Sequence, residues 1–553
     1  MFIDSDGTIV VFSRYRVPGS NNNANVEFKI SWSFGNPKHD VQQLESEINK
    51  LTKEIDLSAY NIRFIELLNE ISGRDDQVQI LWEEEFPEKE DKVFTGLKLY
   101  AHQEDAVKRW LESNYRGIFK ICTGGGKTIA ALSAVKDFTD MKTADKEDIP
   151  SVIITAPTRI LADQWAREIS RFGYRYVLRA YESVKNWFEI LEPWFRVNNT
   201  EQPKFVVSTY CTFADEKFQL KLNRLAESGI KAFWIADEMH NLASRRLLKL
   251  MNACSSFFPY RLGMSATPDI ENDWDATEKL FNYFGGILID YSLWDGIRDG
   301  VLCPYRYHPI PSYLAPNVGM RYLNYLKDIE EGKPGSPALL NLYRENRELI
   351  RTSGVQIAAF RDLLPQLLSH NETFSHTLVY CPPGFIRFSE ERDTIEDDEG
   401  ERRLLSDVVD LLRNNDLSCS SILGETQSPQ RAEILKRFET GEVNALCAIG
   451  CLDEGVDVPA IQRAIVLYSI DRLRQFIQRR GRILRKGPGN INKVAEIYDI
   501  VVLPQGSNLP AEIAERLLKK ELRRYEEFAS MAINREEARQ ALSDALQLAC
   551  ASQ

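Results

Sequence analysis

The chain has 553 residues, which is too long for one hydrophobic core and predicts three or four domains. Hydrophobic residues make up 43% and charged residues 27%, a globular balance, and no apolar run is long enough to cross a membrane. The net charge of −12 excludes a protein that coats nucleic acid through bulk positive charge. Nine singly scattered cysteines and the lack of a signal-like N-terminus predict a cytoplasmic protein with reduced thiols.

Residues 1–95 form an N-terminal accessory region. The stretch Gly19–Asn23, followed by Asn25, Glu27 and Ser31-Trp32, resembles the closing part of a phospholipase D-like nuclease domain. The reactive His and Lys of that family would lie upstream of this stretch, so we expect no nuclease activity in the chain. The resemblance implies a region that docks a separate nuclease-type subunit. The alternative is a turn rich in asparagine that joins two strands.

Short apolar runs alternate with helical patterns from Tyr115 onward. The runs are GIFKIC from 117, SVIIT from 151, KFVVS from 204 and KAFWIA from 231. Strands that alternate with helices predict a parallel, doubly wound sheet. We therefore assign residues 96–300 to a first α/β domain.

A glycine-rich segment follows the run GIFKIC and precedes a helical pattern. It consists of Thr123, Gly124, Gly125, Gly126, Lys127 and Thr128. Glycines let backbone N–H groups close around phosphates at a helix N-terminus, Lys127 would reach the β and γ phosphates, and Thr128 would bind Mg²⁺. The alternative is a glycine-rich turn without a ligand.

An acidic pair, Asp237-Glu238, ends the run KAFWIA. Carboxylates at the carboxyl edge of such a sheet face the nucleotide. Asp237 would hold Mg²⁺ through water, and Glu238 would polarise the water that attacks the γ phosphate. Together with the glycine-rich segment, the pair predicts a nucleotide hydrolase, with ATP as the default nucleotide.

The second half of the chain repeats the alternation of strands and helices. Residues 301–370 have little strand signal, a break at GKPGSP (332–337) and helical spacing, which predicts a helical connector. A second α/β domain over 371–505 contains HTLVYC, NALCAIG, RAIVLYS and VAEIYDIVVL. Residues 506–553 have apolar residues at helical spacing between dense charges and predict a C-terminal helical hairpin.

From about Leu97 to Pro504 the motifs resemble, in family order, those of the superfamily 2 helicases of the restriction-type DExH group. The resemblance implies two tandem RecA-like domains with ATP bound in the cleft between them. Tyr100 and Gln103 resemble the segment that reads adenine, with Gln103 offering its amide to the base edge. Ser265-Ala266-Thr267-Pro268 resembles motif III, which couples the ATP site to the nucleic-acid groove.

The same resemblance implies contacts with the phosphate backbone of a nucleic acid. The residues assigned to these contacts are Pro157, Thr158, Arg159, Ser208 and Thr209 in the first domain, and Gly424 and Thr426 in the second. A solvated charge at a helix start is the alternative for Arg159.

Two further motifs of the second domain resemble those that face the interdomain cleft. Gly455 and Asp457 lie in a stretch that resembles motif V, although Gly450-Cys451 lacks the hydroxyl or basic residue found nearby in relatives. Gln478, Arg482 and Arg485 lie in a stretch that resembles motif VI, and the two arginines are candidate arginine fingers. The alternative is a simple basic patch that binds nucleic acid.

These features predict a DNA-stimulated ATPase that translocates on or unwinds single-stranded or duplex DNA, in genome defence, including antiviral defence, or in repair. RNA is the less favoured substrate. The alternative function is an ATP-driven nucleic-acid sensor that recruits a nuclease-type partner without processive unwinding. The motifs would be the same in a translocase and in a sensor. The sequence contains no recognisable wedge that would separate the strands of a duplex.

Overall fold

The computed structural model describes most of the chain from residue 98 onward. The described ranges are 98–181, 184–196, 202–270, 273–316, 354–369, 374–381, 397–423, 428–449, 460–467, 473–487, 492–504 and 507–551, with three N-terminal strands and a few single residues. The chain divides into two compact units. The first comprises Met1–Val93 with Glu182–Asn198, and the second comprises Phe94–Tyr181 with Asn199–Gln553.

The first unit contains an antiparallel sheet of three strands. These are β1 (Phe2–Ile3), β2 (Ile9–Arg16) and β3 (Asn25–Trp32), in the order β1-β2-β3. The register of β2 and β3 pairs Arg16 with Asn25 and Ile9 with Trp32. The expected asparagine-rich turn, Gly19–Asn23, lies outside the described residues between these two strands. Two short helices, Val184–Trp187 and Leu191–Arg196, also belong to this unit.

The second unit begins with an α/β domain built on a seven-stranded sheet. Its strands are β4 (Arg116–Ile121), β5 (Ser151–Ala156), β6 (Val177–Arg179), β7 (Phe205–Thr209), β8 (Ala232–Asp237), β9 (Tyr260–Ser265) and β10 (Ile287–Tyr291). Its helices are α1 (Ala101–Glu112), α2 (Lys127–Ala144), α3 (Arg159–Arg171), α4 (Tyr210–Phe213), α5 (Glu216–Glu227), α6 (Arg245–Ala253), α7 (Trp274–Phe284) and α8 (Leu293–Arg298), with a 3₁₀ turn at Met239–Ala243.

A second α/β domain follows, with a six-stranded sheet. Its strands are β11 (Tyr305–Tyr313), β12 (Thr377–Tyr380), β13 (Cys419–Ile422), β14 (Ala445–Ala448), β15 (Arg463–Val466) and β16 (Ala495–Leu503). The helices described here are α9 (Val355–Ser369), α10 (Asp397–Arg413), α11 (Ser428–Glu439), α12 (Leu473–Ile483), α13 (Ala511–Ala529) and α14 (Arg535–Ala551).

Both sheets are parallel throughout. Their strand orders are β10-β4-β9-β8-β5-β7-β6 and β11-β16-β15-β12-β14-β13. Every residue of β5 and β8 is buried, as expected of strands covered on both faces. The predicted pair of RecA-like domains and the C-terminal hairpin, α13 and α14, are therefore confirmed.

The strand β11 corrects the expectation that residues 301–370 have little strand structure. Its nine residues pair in parallel with the whole of β16 at the edge of the second sheet. Pro309 and Pro311 mask the strand signal in the sequence, yet a proline is tolerated on an edge strand. The buried alternate residues Tyr305 and Tyr307 give the period of two. The helical part of the prediction is confirmed at α9.

One cluster of buried apolar side chains reaches into both sheets of the second unit. Leu302, Tyr305 and Ile483 belong to it together with core residues of the first domain such as Phe119. The two domains of this unit therefore share a continuous apolar contact. Among the described residues, no helix is both long and apolar enough to cross a membrane.

Candidate active site

The carboxyl ends of the first sheet's strands bring the predicted motifs to one edge. Since parallel strands end at the same edge, the segments after β4, β5, β7, β8 and β9 lie side by side there. These segments carry Thr123 to Thr128, Thr158, Glu238 and Thr267, and Thr209 is the last residue of β7. The sequence motifs thus form one surface.

The glycine-rich segment links β4 to the first turn of α2. Gly124 and Gly126 have φ angles of 85° and 82°, a left-handed conformation that favours glycine. A Cβ on Gly126 would lie 2.1 Å from Nε2 of Gln103, so a side chain there would displace the Gln103 amide as well as strain the backbone. Gly126 is also the N-cap of α2, so the first N–H groups of a long helix point into the loop.

Gln103 and His102 support this loop from α1. Gln103 Nε2 lies 3.4 Å and 3.3 Å from the carbonyl oxygens of Gly125 and Gly126, and its Oε1 accepts from the N–H of Tyr100 at 2.9 Å. His102 Nε2 lies 2.8 Å from the Gly125 carbonyl. In this conformation the Gln103 amide is engaged by the protein, and its assignment to adenine recognition stays a prediction.

The acidic pair lies where β8 ends. Asp237 Oδ2 accepts a hydrogen bond of 2.9 Å from Trp165 Nε1, and its backbone oxygen accepts one of 2.6 Å from the Tyr210 hydroxyl. Glu238 has a φ of 46°, which is unusual for a residue with a side chain. Its Oε1 lies 3.6 Å from Lys127 Nζ, which joins the glycine-rich segment to the acidic pair.

A second contact connects Glu238 to the segment after β9. The Ser265 hydroxyl donates to Glu238 Oε2 at 3.2 Å and accepts from the N–H of Thr267 at 3.0 Å. His240 Nδ1 lies 3.0 Å from the same hydroxyl. A movement of Ser265 would therefore change a hydrogen bond to the Glu238 carboxylate.

The two carboxyl groups have opposite pKa shifts. Burial raises the pKa of Asp237 to about 6, and the negative charge of Glu238 adds to the rise. Burial would also raise the pKa of Glu238, but the charges of Lys127, His240 and Arg482 and a hydrogen bond from Ser265 outweigh it and lower that pKa. Glu238 is thus held as a carboxylate beside Lys127.

Helix α12 of the second domain reaches the glycine-rich segment. A Cβ on Gly481 would lie 2.7 Å from the Thr123 carbonyl oxygen, and one on Gly124 would lie 3.1 Å from Arg485 Cγ. Arg482 is close enough to Glu238 to lower its pKa. Gln478 is buried in the same helix. The structure therefore brings motif VI to the acidic pair.

Several of the residues predicted to contact nucleic acid are buried or already hydrogen-bonded within the protein. Ser208 is fully buried, so, contrary to our expectation, its side chain does not offer itself to a polynucleotide in this conformation. The hydroxyls of Thr158 and Thr209 accept hydrogen bonds from Leu161 N and Thr212 N as N-caps of α3 and α4.

Of the other residues predicted from the sequence, some are accessible, one is hydrogen-bonded within its own turn, and some lie outside the described residues. Arg159 is exposed and Pro157 half-buried. In the second domain, the Thr426 hydroxyl accepts from the N–H of Leu423 at 2.9 Å and so closes its own turn. Gly424, Gly455 and Asp457 lie outside the described residues.

Several contributing residues are missed by sequence reasoning. Trp165 and Tyr210 donate hydrogen bonds to Asp237 from distant positions in the sequence, and no local sequence pattern predicts these bonds. The exposed cations Arg245, Arg246 and Lys249 line α6, and Arg246 Nη2 donates to the Ala214 carbonyl at the end of α4, which begins after Thr209. The signal that could have found them is the segment SRRLLKL, in which all three charges are basic.

Two family models match this chain. The model "Type III restriction enzyme, res subunit" matches residues 96–270, and "Helicase conserved C-terminal domain" matches residues 362–487. The chain is a superfamily 2 helicase of the restriction type, and it is an ATP-hydrolysing enzyme. Both matches end before the C-terminal hairpin of this helicase, and both begin after its N-terminal region.

Individual relatives are distant from this helicase. The "DNA 3'-5' translocase XPB2" of Sulfurisphaera tokodaii is 26% identical over 72% of this chain and 81% of its own. A candidate Rad25 DNA 3'-5' helicase of Haloarcula marismortui is 25% identical over 73% of this chain and 55% of its own length. The solved structure of LlaBIII, an ATP-dependent Type ISP restriction-modification enzyme bound to DNA, has a TM-score of 0.50 at 15% identity, over 77% of this chain and 30% of that chain. That likeness concerns the fold.

Proposed function

We propose that this helicase binds ATP and Mg²⁺ between its two α/β domains and uses hydrolysis to move along or unwind DNA. The observation that carries the proposal is the contact of α12 with the glycine-rich segment, since it combines groups of both domains at one acidic pair. Hydrolysis then requires the two domains to be in contact. Their separation after hydrolysis is the domain movement that drives the protein along DNA.

The residues of the glycine-rich segment fit a triphosphate. Lys127 provides a cation beside the acidic pair, the turn has no room for side chains, and the buried Thr123 hydroxyl has no partner among the described residues. Thr128 and Asp237 would hold Mg²⁺, the latter through water. When bound, Mg²⁺ supplies positive charge to the phosphate oxygens.

Glu238 is the residue that activates water in this proposal. Its lowered pKa keeps it a carboxylate at neutral pH, and Ser265 and Lys127 fix its orientation. Arg482 and Arg485 supply charge to the transferring phosphoryl group, which a planar guanidinium stabilises well. Gln478 lies in the same helix, and Gly455 and Asp457 are proposed to face the same cleft.

DNA is the proposed track. Support comes from the relative named as a DNA 3'-5' translocase and from the structural neighbour solved with DNA. The exposed α6 cations give an otherwise acidic chain a local basic surface, and one of them, Arg246, contacts the end of α4, which begins after Thr209. The helix N-terminus of α3 adds backbone N–H groups at the carboxyl edge of the first sheet. Roles for Pro157, Thr158, Thr209, Gly424 and Thr426 remain part of this proposal.

We propose genome defence or DNA repair as the biological setting. The match to the restriction-enzyme family model supports genome defence, and DNA repair remains the alternative setting. Docking of a nuclease-type subunit to residues 1–95 remains a proposal that rests on the resemblance of that segment. Co-purification of the full-length chain with co-expressed neighbouring proteins tests it, and a deletion of residues 1–95 that leaves co-purification unchanged would exclude that docking site.

Displacement of streptavidin from end-biotinylated DNA tests the proposed function. A translocase removes the streptavidin only with ATP, and Glu238→Gln abolishes the removal. If DNA stimulates hydrolysis without any displacement, the sensor function is correct instead. Arms with single-stranded DNA, duplex DNA and RNA identify the track.

A further inference from the structure

Arg480 lies on the arginine-bearing helix α12, next to the glycine that contacts Thr123. Its side chain is 1% exposed. Arg480 Nη2 lies 2.6 Å from Oε1 of Glu527, and Nη1 donates to the Glu527 carbonyl and lies 3.3 Å from the Tyr305 hydroxyl. The guanidinium also lies over the Phe528 ring, 5.4 Å from its centre. Glu527 and Phe528 belong to α13, so the C-terminal hairpin contacts α12 directly.

The hairpin is itself fixed to the second sheet. Arg524 Nε donates to Asp499 Oδ2 at 3.0 Å, and its Nη2 donates to Glu521 Oε2 at 2.8 Å. Asn534 accepts from the N–H of Tyr307 at 2.8 Å and donates to the Tyr307 carbonyl at 3.1 Å, as a neighbouring strand would. The hairpin therefore holds Arg480 from a rigid support.

The carboxyl end of α12 is anchored independently. Lys493 Nζ donates to the carbonyl oxygens of Ile483 and Arg485 at 2.8 Å and 2.7 Å. The N–H of Cys303 donates to the Leu484 carbonyl at 2.8 Å. Arg482 thus lies between two anchors, Arg480 on one side and the capped helix end on the other.

Such anchoring matters because the charge that stabilises a transition state must be in place before the reaction. A misplacement of about 1 Å can cost as much as about 100-fold in rate. Without the Glu527 carboxylate, Arg480 keeps, among the described residues, only its contacts with the Glu527 carbonyl, the Tyr305 hydroxyl and the Phe528 ring, so its ion pair with the hairpin is lost.

We propose that the C-terminal hairpin is part of the hydrolysis machinery of this helicase, with Glu527 as a positioning residue that acts through Arg480 to place Arg482. Neither family model extends to the hairpin. This proposal rests on the proposed role of Arg482 in ATP hydrolysis and does not depend on the identity of the nucleic acid.

The first test compares Glu527→Gln and Glu527→Ala with Glu526→Ala, an exposed carboxylate one residue earlier on the same helix. Steady-state ATP hydrolysis is measured over a range of ATP concentrations, with and without DNA, so that a rate is obtained even if DNA gives no stimulation. For Glu527→Ala we expect a rate about ten-fold lower at saturating ATP, an ATP KM within about two-fold of wild type, and a smaller effect for Glu527→Gln. Glu526→Ala should match wild type.

A double variant separates positioning from general stability. If Glu527 acts through Arg482, then Glu527→Gln should have no further effect on the rate of an Arg482→Ala protein. An equal loss in both backgrounds would overturn the proposal, as would wild-type rates for both Glu527 variants. Melting temperatures of all variants are measured alongside, and Glu527→Gln keeps the test valid if Glu527→Ala does not fold.

Discussion

Gly481 lies so close to Thr123 that a Cβ on Gly481 would be 2.6 Å from the Thr123 Cβ and 2.7 Å from its carbonyl oxygen. The two residues belong to different domains, one in the arginine-bearing helix and the other in the glycine-rich segment. No other residue type allows the helix to approach this far. The contact sets the distance between Arg482 and the acidic pair.

Gly481→Ala should therefore prevent the docking of α12 on the glycine-rich segment. We expect the hydrolysis rate to fall at least about ten-fold, while each domain keeps its own fold. ATPase kinetics and circular dichroism together check this outcome. A wild-type rate would mean that α12 does not need this close approach for catalysis.

The raised pKa of Asp237 predicts how Mg²⁺ binding depends on pH. A carboxyl group with a pKa of about 6 takes up a proton below pH 6, where an ordinary aspartate is still charged. Because the ionised carboxylate is the form that would hold the metal through water, Mg²⁺ affinity should be constant above about pH 7 and fall by up to about ten-fold per pH unit below 6. Thermal shifts of the ATP-free protein with Mg²⁺ measure this dependence, with Asp237→Asn as the control. A constant affinity down to pH 5 would show that the pKa is not raised.

Arg524 should be essential for the stability of the second domain. Its removal leaves the buried carboxylates of Asp499 and Glu521 without their cation, which costs about 3–5 kcal/mol. Arg523→Ala, at the exposed neighbouring position, should change stability little.

The readout for this pair of variants must come from the second domain itself. All nine tryptophans lie at or before Trp294, so intrinsic fluorescence does not report on this domain. Hydrogen exchange at β16 is the suitable measurement. Equal protection in Arg524→Ala and Arg523→Ala would contradict the assigned role of Arg524.

The α6 cations should contribute to DNA binding through phosphates. Reversal of Arg245 and Lys249 to glutamate should lower affinity for DNA of any sequence and reduce the slope of log affinity against log salt by about 1.4–1.8. Reversal of Lys108, exposed on α1, and Lys136, half-buried on α2, is the matched control. An unchanged slope would place the nucleic acid elsewhere.

The sequence predicts the fold well where strands are mostly apolar. The runs at β4, β5, β8 and β16 are confirmed as strands, and β5 and β8, which are buried at every residue, are nearly continuously apolar, as expected of strands covered on both faces of a sheet. The strand β11 is missed because Pro309 and Pro311 break its pattern, and only the neighbouring β16 explains why it forms.

The site is predictable to the extent that its chemistry is local in sequence. Lys127, Asp237 and Glu238 follow from the glycine-rich segment and the strand ends. Trp165, Tyr210 and Glu527 contact the machinery across long sequence separations, and their neighbours give no sign of it. Ser208 is predicted from its motif to contact nucleic acid, but it is buried, so the motif alone does not predict exposure.

We propose that this helicase hydrolyses ATP in response to DNA, with Glu238 as the residue that activates water. Steady-state hydrolysis by wild type and Glu238→Gln is measured without polymer and with single-stranded DNA, duplex DNA or RNA, at one fixed salt concentration. We predict strong stimulation by DNA, weaker stimulation by RNA, and loss of hydrolysis in Glu238→Gln. Hydrolysis that is insensitive to every polymer, or that persists in Glu238→Gln, would contradict the claim.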